Sequence, residues 1–237
     1  MLAMAAYRLD AHTHTGHSPD CLLPAERLLA AAVRRGLAGI AVTDHNSLGG
    51  AMQALALVER APERYPGLTV IPGEEVKTAE GEIMGLGLHE PIPRGLTPEE
   101  TIARIRAQGG MVAVPHPFDR LRGSRLRQAA LRRVAHLVDA IEVLNARTTL
   151  PADNARALVF ARAHGLAMLA GSDAHTAREV GTAYVTLDAP LSSAPAALLE
   201  QVRRGRPDGG LSQLLVHLYS KLARWRKRLG LAPAVQL

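Results

Sequence analysis

Imidazole and carboxylate side chains in this chain come in short clusters. His12-Thr13-His14 is followed by Asp20. Then come Thr43-Asp44-His45, Gly73-Glu74-Glu75, Pro115-His116-Pro117 and Gly171-Ser172-Asp173-Ala174-His175. The clusters fall near the ends of successive apolar runs. Imidazole nitrogen and carboxylate oxygen are ligand atoms that Zn²⁺, Mn²⁺ and Fe²⁺ share, so the pattern points to a polynuclear metal site. His12 and His14 are two residues apart at a strand end. Period-two geometry turns both rings to one side, where they can grip one ion. Asp173 and His175 repeat that spacing. A lone histidine at a strand end is an ordinary polar residue. Two such pairs together with His45, Glu75 and His116 would need a separate coincidence at every strand end. His136, His164 and His217 lie in segments of helical period and read as ordinary helix residues.

The elements that must hold these groups alternate along the chain. Strands are expected at 7–11, 39–43, 69–72, 83–88, 112–115, 140–144, 167–171 and 182–187, and helices at 24–35, 53–60, 98–108, 125–137 and 152–164. Pro24 and Gly36 supply start and stop signals for the first helix, and Thr97-Pro98-Glu99-Glu100 resembles a capping box. Strand, helix, strand without hairpin signals argues for a parallel sheet with crossover helices. Ligand-type residues at the carboxyl ends of at least five strands converge on one point only if the strands form a ring, which favours a barrel.

The 237 residues suffice for one such domain, and 47% hydrophobic with 21% charged residues excludes a disordered chain. Aromatics make up 3%, so the core must be aliphatic. Cys21 is the only cysteine, which rules out an internal disulfide and suits a reducing cytoplasm. The first residues read as neither secretory signal nor membrane span. The formal charge of +6 is concentrated late, in Arg203, Arg204, Arg206, Lys221, Arg224, Arg226, Lys227 and Arg228, opposed there only by Asp208. The expected division is a barrel at 1–204 and a basic tail at 205–237. In the tail Leu211, Leu214, Leu215, Leu218, Leu222, Trp225 and Leu229 recur at helical spacing and predict an amphipathic helix over about 211–229. Two uses for it stay open. The leucines could pack on the barrel or a partner subunit while the charges face water. Alternatively the helix could lie on an anionic membrane or steer a polyanionic substrate, with Gly205 to Gly210 as a hinge.

The motifs DAHTHTGHSPD, TDHN, GEEV, PHP and GSDAH, spread over residues 10–175, resemble those of the PHP (polymerase and histidinol phosphatase) superfamily of metal-dependent phosphoesterases. The resemblance implies a distorted (β/α)7 barrel with a cleft for two or three divalent ions (Zn, Mn or Fe) at the carboxyl ends of the strands. By it, His12, His14, Glu75 and Asp173 would hold one ion, and Glu75 would bridge to a second held by His116. Asp20, His45 and His175 would hold a third. Another ligand of the second ion is expected from Glu82, with His89 as the alternative. Glu74 reads as a neighbour of the ligand Glu75.

The implied reaction is hydrolysis of a phosphate ester, in a small phosphorylated metabolite or nucleotide, by a metal-activated water near Glu75. His17 would contact phosphate or protonate the leaving oxygen, or else be an exposed loop residue. Arg147 would grip an anionic substrate, or else be solvated. Asp44 is expected either to orient ligands or to sit in a surface loop, and Asn145 either to point into the cleft or to cap a segment. A nuclease, a histidinol-phosphate phosphatase and a non-catalytic metal-binding interaction module are the alternatives. Scarce aromatics leave no stacking platform for nucleic acid, and a full ligand set argues against a non-catalytic role. The oligomeric state stays open.

Overall fold

The structure is a computed structural model and describes residues 7–213 and 215–231. Strands β1 (Tyr7–Thr13), β2 (Gly39–Val42), β3 (Thr69–Thr78), β4 (Gly81–Leu86), β5 (Met111–Val114), β6 (Ala140–Asn145) and β7 (Ala167–Gly171) lie side by side in chain order. The two ends of this run meet. Asp173 donates its backbone N–H to the His12 carbonyl at 2.8 Å and His14 donates to the Ala174 carbonyl at 3.0 Å, with Thr13 and Ala174 bridged in parallel. The sheet is therefore a nearly closed barrel. Strands β8 (Ala183–Leu187) and β9 (Arg206–Gly209) extend it past β1 as antiparallel additions.

Burial explains the strands. Gly39–Val42 and Met111–Val114 are buried at every position, as expected of strands covered on both faces. One apolar cluster draws Leu9, Ala41, Ile71, Met84, Ala113, Ala140 and Leu169 from seven strands. The middle of the barrel is thus packed, and chemistry is confined to its rim. Helices α1 (Ala25–Arg34), α2 (Gly49–Arg60), α3 (Pro98–Ala107), α4 (Gln128–Val134), α5 (Pro151–His164), α6 (Pro195–Arg204) and α7 (Val216–Arg228) follow. On α1, Leu28, Leu29, Ala31 and Ala32 recur on one face and pack against Ile40 and Val42 of β2. The capping box at Thr97 and Glu100 is formed in both directions, and α5 ends at Gly165 in a left-handed conformation, φ 64°.

Three expectations fail. The ring is not wholly parallel, because β3 and β4 form an antiparallel hairpin and β4 is also antiparallel to β5. The turn is closed by the Thr78 hydroxyl, which donates to the Gly81 carbonyl and accepts from Glu80 N–H. Gly81 adopts φ 126°, and a Cβ there would lie 2.4 Å from the Arg125 carbonyl oxygen, so only glycine fits. Residues 206–209, expected within a hinge, are hydrogen-bonded to β8 as β9. Helix α6, which begins with Pro195 at its first turn and ends before Gly205, was not anticipated.

The tail helix starts later than expected and is turned the opposite way from the expected packing of its leucines on the barrel. Leu218, Leu222, Trp225 and Leu229 are exposed and do not pack on the barrel, whereas basic residues on the other face meet it. Leu214 lies outside the described residues.

Candidate metal centre

The rim at the carboxyl ends of the strands brings the clusters together. His12 lies on β1 and His14 just past its end, and their Nε2 atoms are 3.0 Å apart, as the period-two spacing required. His45 follows β2 and is held by a parallel bridge to Glu75. Glu75 and Lys77 share one face of β3, and Glu82 stands opposite Lys77 on β4, so the hairpin delivers both glutamates to one side. His116 follows β5 and Asp173 follows β7. Both adopt positive φ, 30° and 53°, a conformation costing a non-glycine residue about 1–3 kcal/mol and typical of functional sites.

Ring centroids of His12 and His116 are 5.8 Å apart, and those of His14 and His175 are 4.4 Å apart. Glu75 sits at the centre. One carboxylate oxygen is 2.8 Å from His116 Nε2, and the other is 3.1 Å from His45 Nδ1, 3.4 Å from His12 Nε2 and 3.5 Å from His14 Nε2. Asp173 Oδ1 lies 3.2 Å from His14 Nε2, and Asp20 Oδ1 lies 3.3 Å from His175 Nε2. Glu82 is 3.7 Å from His45 and 3.8 Å from His116. The donor atoms form four overlapping sets: His12, His14 and Asp173; His12, Glu75 and His116; His45, Glu75 and Glu82; His14, His45 and His175.

Divalent ions fit this arrangement. Asp20 Oδ1, Glu75 Oε2, Glu82 Oε2 and Asp173 Oδ1 are buried with no hydrogen-bond partner, and all four face the imidazole nitrogens. Leaving such oxygens unsatisfied is costly, and a cation satisfies them. Burial opposes charge on His12, but Glu142, Asp173 and Glu75 outweigh it and hold its pKa well above the usual value. Burial is likewise overcome at His45, chiefly by Glu75, and its pKa rises to about 10. His14 is pushed the other way, to about 3, by burial and by the neighbouring His175. Asp173 stays well below the carboxylate range despite burial, because Arg122 and His12 stabilise its charge. Burial and the nearby Glu75 raise Glu82.

Of the expected residues, His12, His14, Asp20, His45, Glu75, Glu82, His116, Asp173 and His175 meet in this cluster, while His89 is exposed and outside it. His17 is half-buried, not an exposed loop residue. Its ring packs on Gly49 at the start of α2, where a Cβ would lie 2.4 Å from Nδ1. Arg147 lines the cleft and is buried rather than solvated. Buried beside Glu179 (Nε to Oε1, 3.5 Å), it donates to the Val216 carbonyl at 3.0 Å and to the Ser220 hydroxyl at 2.9 Å. Asp44 accepts from Thr15 and Ser18, and Ser18 contacts His14 Nδ1 at 2.9 Å, so Asp44 orients a ring through a hydroxyl. Asn145 points into the site and donates to Asp173 Oδ2 at 3.2 Å. Glu74 is buried elsewhere and accepts from Ile92 N–H, and burial raises it to about 7.

Sequence reasoning missed three residues. Glu142 holds His12 Nδ1 at 3.1 Å and accepts from the His116 N–H at 2.7 Å. A single carboxylate within the apolar run Ala140–Asn145 was the available signal. Arg122 donates to Asp173 Oδ2 at 2.6 Å, but nothing in its arginine-rich loop distinguished it. His217, expected to be an ordinary helix residue, lines the cleft, where burial and the nearby Arg147 lower its pKa.

The cleft over the cluster encloses about 660 Å³. One wall is α7, which contributes His217, Ser220, Lys221 and Arg224, while Lys77 and Arg122 stand on the barrel side. Arg224 donates to Asp20 Oδ2 at 2.8 Å, and Lys227 reaches the Gly16 and Ser18 carbonyls.

Comparison with known proteins adds to this picture. The PHP-associated family model matches residues 151–207. Two uncharacterized proteins of Methanocaldococcus jannaschii are similar over longer stretches. MJ1587 is 37% identical over 150 residues, 59% of this chain and 82% of its own length, and MJ0417 is 34% identical over 181 residues, 75% and 69%. Among solved structures, PsfC from Pseudomonas syringae PB-5123 superposes with a TM-score of 0.63 at 21% identity, covering 95% of this chain and 100% of its own. A protein designated a metal-dependent phosphoesterase, from Bifidobacterium adolescentis, gives 0.59 at 20% identity over 73% and 90%. An amidohydrolase from Chromobacterium violaceum, solved with sulfate and no metal, gives 0.60 at 21% identity over 82% and 96%. The motifs at the strand ends, the nearly closed barrel that carries them and these likenesses agree: the chain belongs to the PHP superfamily.

Proposed function

We propose that this protein is a metal-dependent hydrolase that cleaves phosphate esters of a small phosphorylated metabolite or nucleotide. The observation that carries the reading is the convergence of buried, unpartnered carboxylate oxygens of Asp20, Glu75, Glu82 and Asp173 on a group of histidine nitrogens. His12, His14, His45, His116, His175 and those four carboxylates would hold two or three divalent ions. When bound, such ions supply a water acidified toward neutrality and neutralise charge on phosphoryl oxygens.

The chain's own residues do the rest. Glu142 fixes the orientation of His12 and the backbone of His116, and Ser18 with Asp44 fixes His14, so the donors are held before substrate arrives. Lys77, Lys221 and Arg224 place positive charge around the cleft, which favours an anionic substrate and supports a phosphate ester over a neutral amide. Arg122, held against Asp173, adds a guanidinium at the inner edge. His217 stands on the cleft wall, where burial and the nearby Arg147 lower its pKa and suit its ring to accept a proton.

The alternative of nucleic acid is weaker, because no Phe, Tyr or Trp lines the cleft among the described residues. A phosphate-release screen over nucleotides, sugar phosphates, histidinol phosphate and short oligonucleotides, with defined metals, tests the reading. Turnover of one small ester class is expected. Activity confined to oligonucleotides, or none with any metal, would overturn it.

A further inference from the structure

We infer that the outward face of α7 is a docking surface for an anionic lipid bilayer. Leu215, at the helix start, is 62% exposed, and Leu218, Tyr219, Leu222, Trp225 and Leu229 are between 49% and 58% exposed. At this helical spacing they form one apolar stripe rather than scattered surface residues. The stripe cannot simply roll inward. The opposite face is tethered by Arg147 to the Val216 carbonyl and the Ser220 hydroxyl, by Arg224 to Asp20, and by Lys227 to the Ser18 carbonyl.

Charge identifies the occupant. Lys221, Arg226 and Arg228 are exposed beside or within the stripe, and no acidic residue follows Asp208 in the sequence. A second copy meeting this face would set the same cations against each other with no carboxylate on the helix to neutralise them. A nucleic acid would use the cations but leave the leucines in water. An anionic lipid surface satisfies both, with apolar side chains entering the acyl boundary and basic ones remaining among the headgroups. Trp225 and Tyr219 are amphipathic rings suited to that boundary. Among the described residues no helix is long and apolar enough to cross a membrane, so α7 would lie in the plane of the surface.

Trp225 is the only tryptophan in the chain, so its emission reports on this face in the unaltered full-length protein. With phosphatidylcholine/phosphatidylglycerol vesicles we expect a blue shift, quenching by brominated acyl chains and co-flotation, all weakened by added salt. Pure phosphatidylcholine should give little of any. L218D/L222D should lower partitioning by about a hundredfold or more while the far-UV circular dichroism and thermal unfolding stay unchanged. If that variant unfolds, quenching of Trp225 in the unaltered protein still decides. Absence of quenching by anionic vesicles overturns the proposal, as does equal binding to neutral ones. A dimer in sedimentation that L218D/L222D dissociates, without vesicle binding, would assign the stripe to self-association and overturn it too.

Discussion

Glu142 is buried beside the cluster, where it orients one imidazole and anchors the backbone of another. Its carboxylate holds the His12 ring and the His116 backbone, and it accepts a further bond from Asn145. Carboxylates in such positions typically contribute 10- to 100-fold to metal affinity or activity. Glu142→Gln should therefore weaken metal binding by about that factor in a calorimetric titration, with the fold intact. Glu75→Gln removes charge from the centre of the cluster but little volume. It should lower turnover on the order of 100-fold or more without comparable loss of stability, and near-normal turnover in metal-replete protein would exclude its central role. Protons give a third test at this scale. The pKa of His45, raised to about 10 chiefly by Glu75 against the effect of burial, favours a proton on that ring at pH 7 when no ion is bound, and His12 is shifted in the same direction. Metal binding must displace such protons, so affinity should fall as pH falls. Calorimetry in buffers of different ionisation enthalpy should register net proton release at pH 7, and no release would contradict these assignments.

At the scale of elements, the strand ends were legible and the connections were not. Apolar runs of strand length, each stopped by a ligand-type residue, located six of the seven barrel strands within a few residues. They also located the rim, because burial on both faces leaves a strong composition signal. The β3–β4 hairpin left none, since its turn depends on the Thr78 hydroxyl and on Gly81 filling a tight space against Arg125, both tertiary facts. The periodicity of α7 was legible as well, but a stripe says only that two faces differ. Which face turns inward is set by Arg147, Asp20 and the Gly16 and Ser18 carbonyls, far away in sequence. Arg147 is the buried member of these tethers. Arg147→Ala would remove two of the hydrogen bonds that hold α7 and leave the buried Glu179 carboxylate without its partner at 3.5 Å, a loss of about 3–5 kcal/mol. Chemical denaturation should show it, and a change below about 1 kcal/mol would mean that the helix is held by other contacts.

For the whole molecule, catalysis and stability share one source. The rim concentrates strained residues at His116 and Asp173 and carboxylate oxygens without partners, so a bound cation would stabilise the barrel where its own contacts are weakest. An ion bound at 100 times its Kd adds about 2.7 kcal/mol, equivalent to roughly 5–10 °C in Tm for a chain of this size. The most direct test of the account joins this loading to chemistry. Chelator-stripped protein is titrated with Mn²⁺, Zn²⁺ or Fe²⁺ while phosphate release from the best ester is followed in the same sample. Release should be absent in the stripped protein, rise with added ion and level off at two or three equivalents, with Glu75→Gln remaining near the baseline. Phosphate release that is indifferent to chelation, or ions that bind stoichiometrically without producing any, would contradict it.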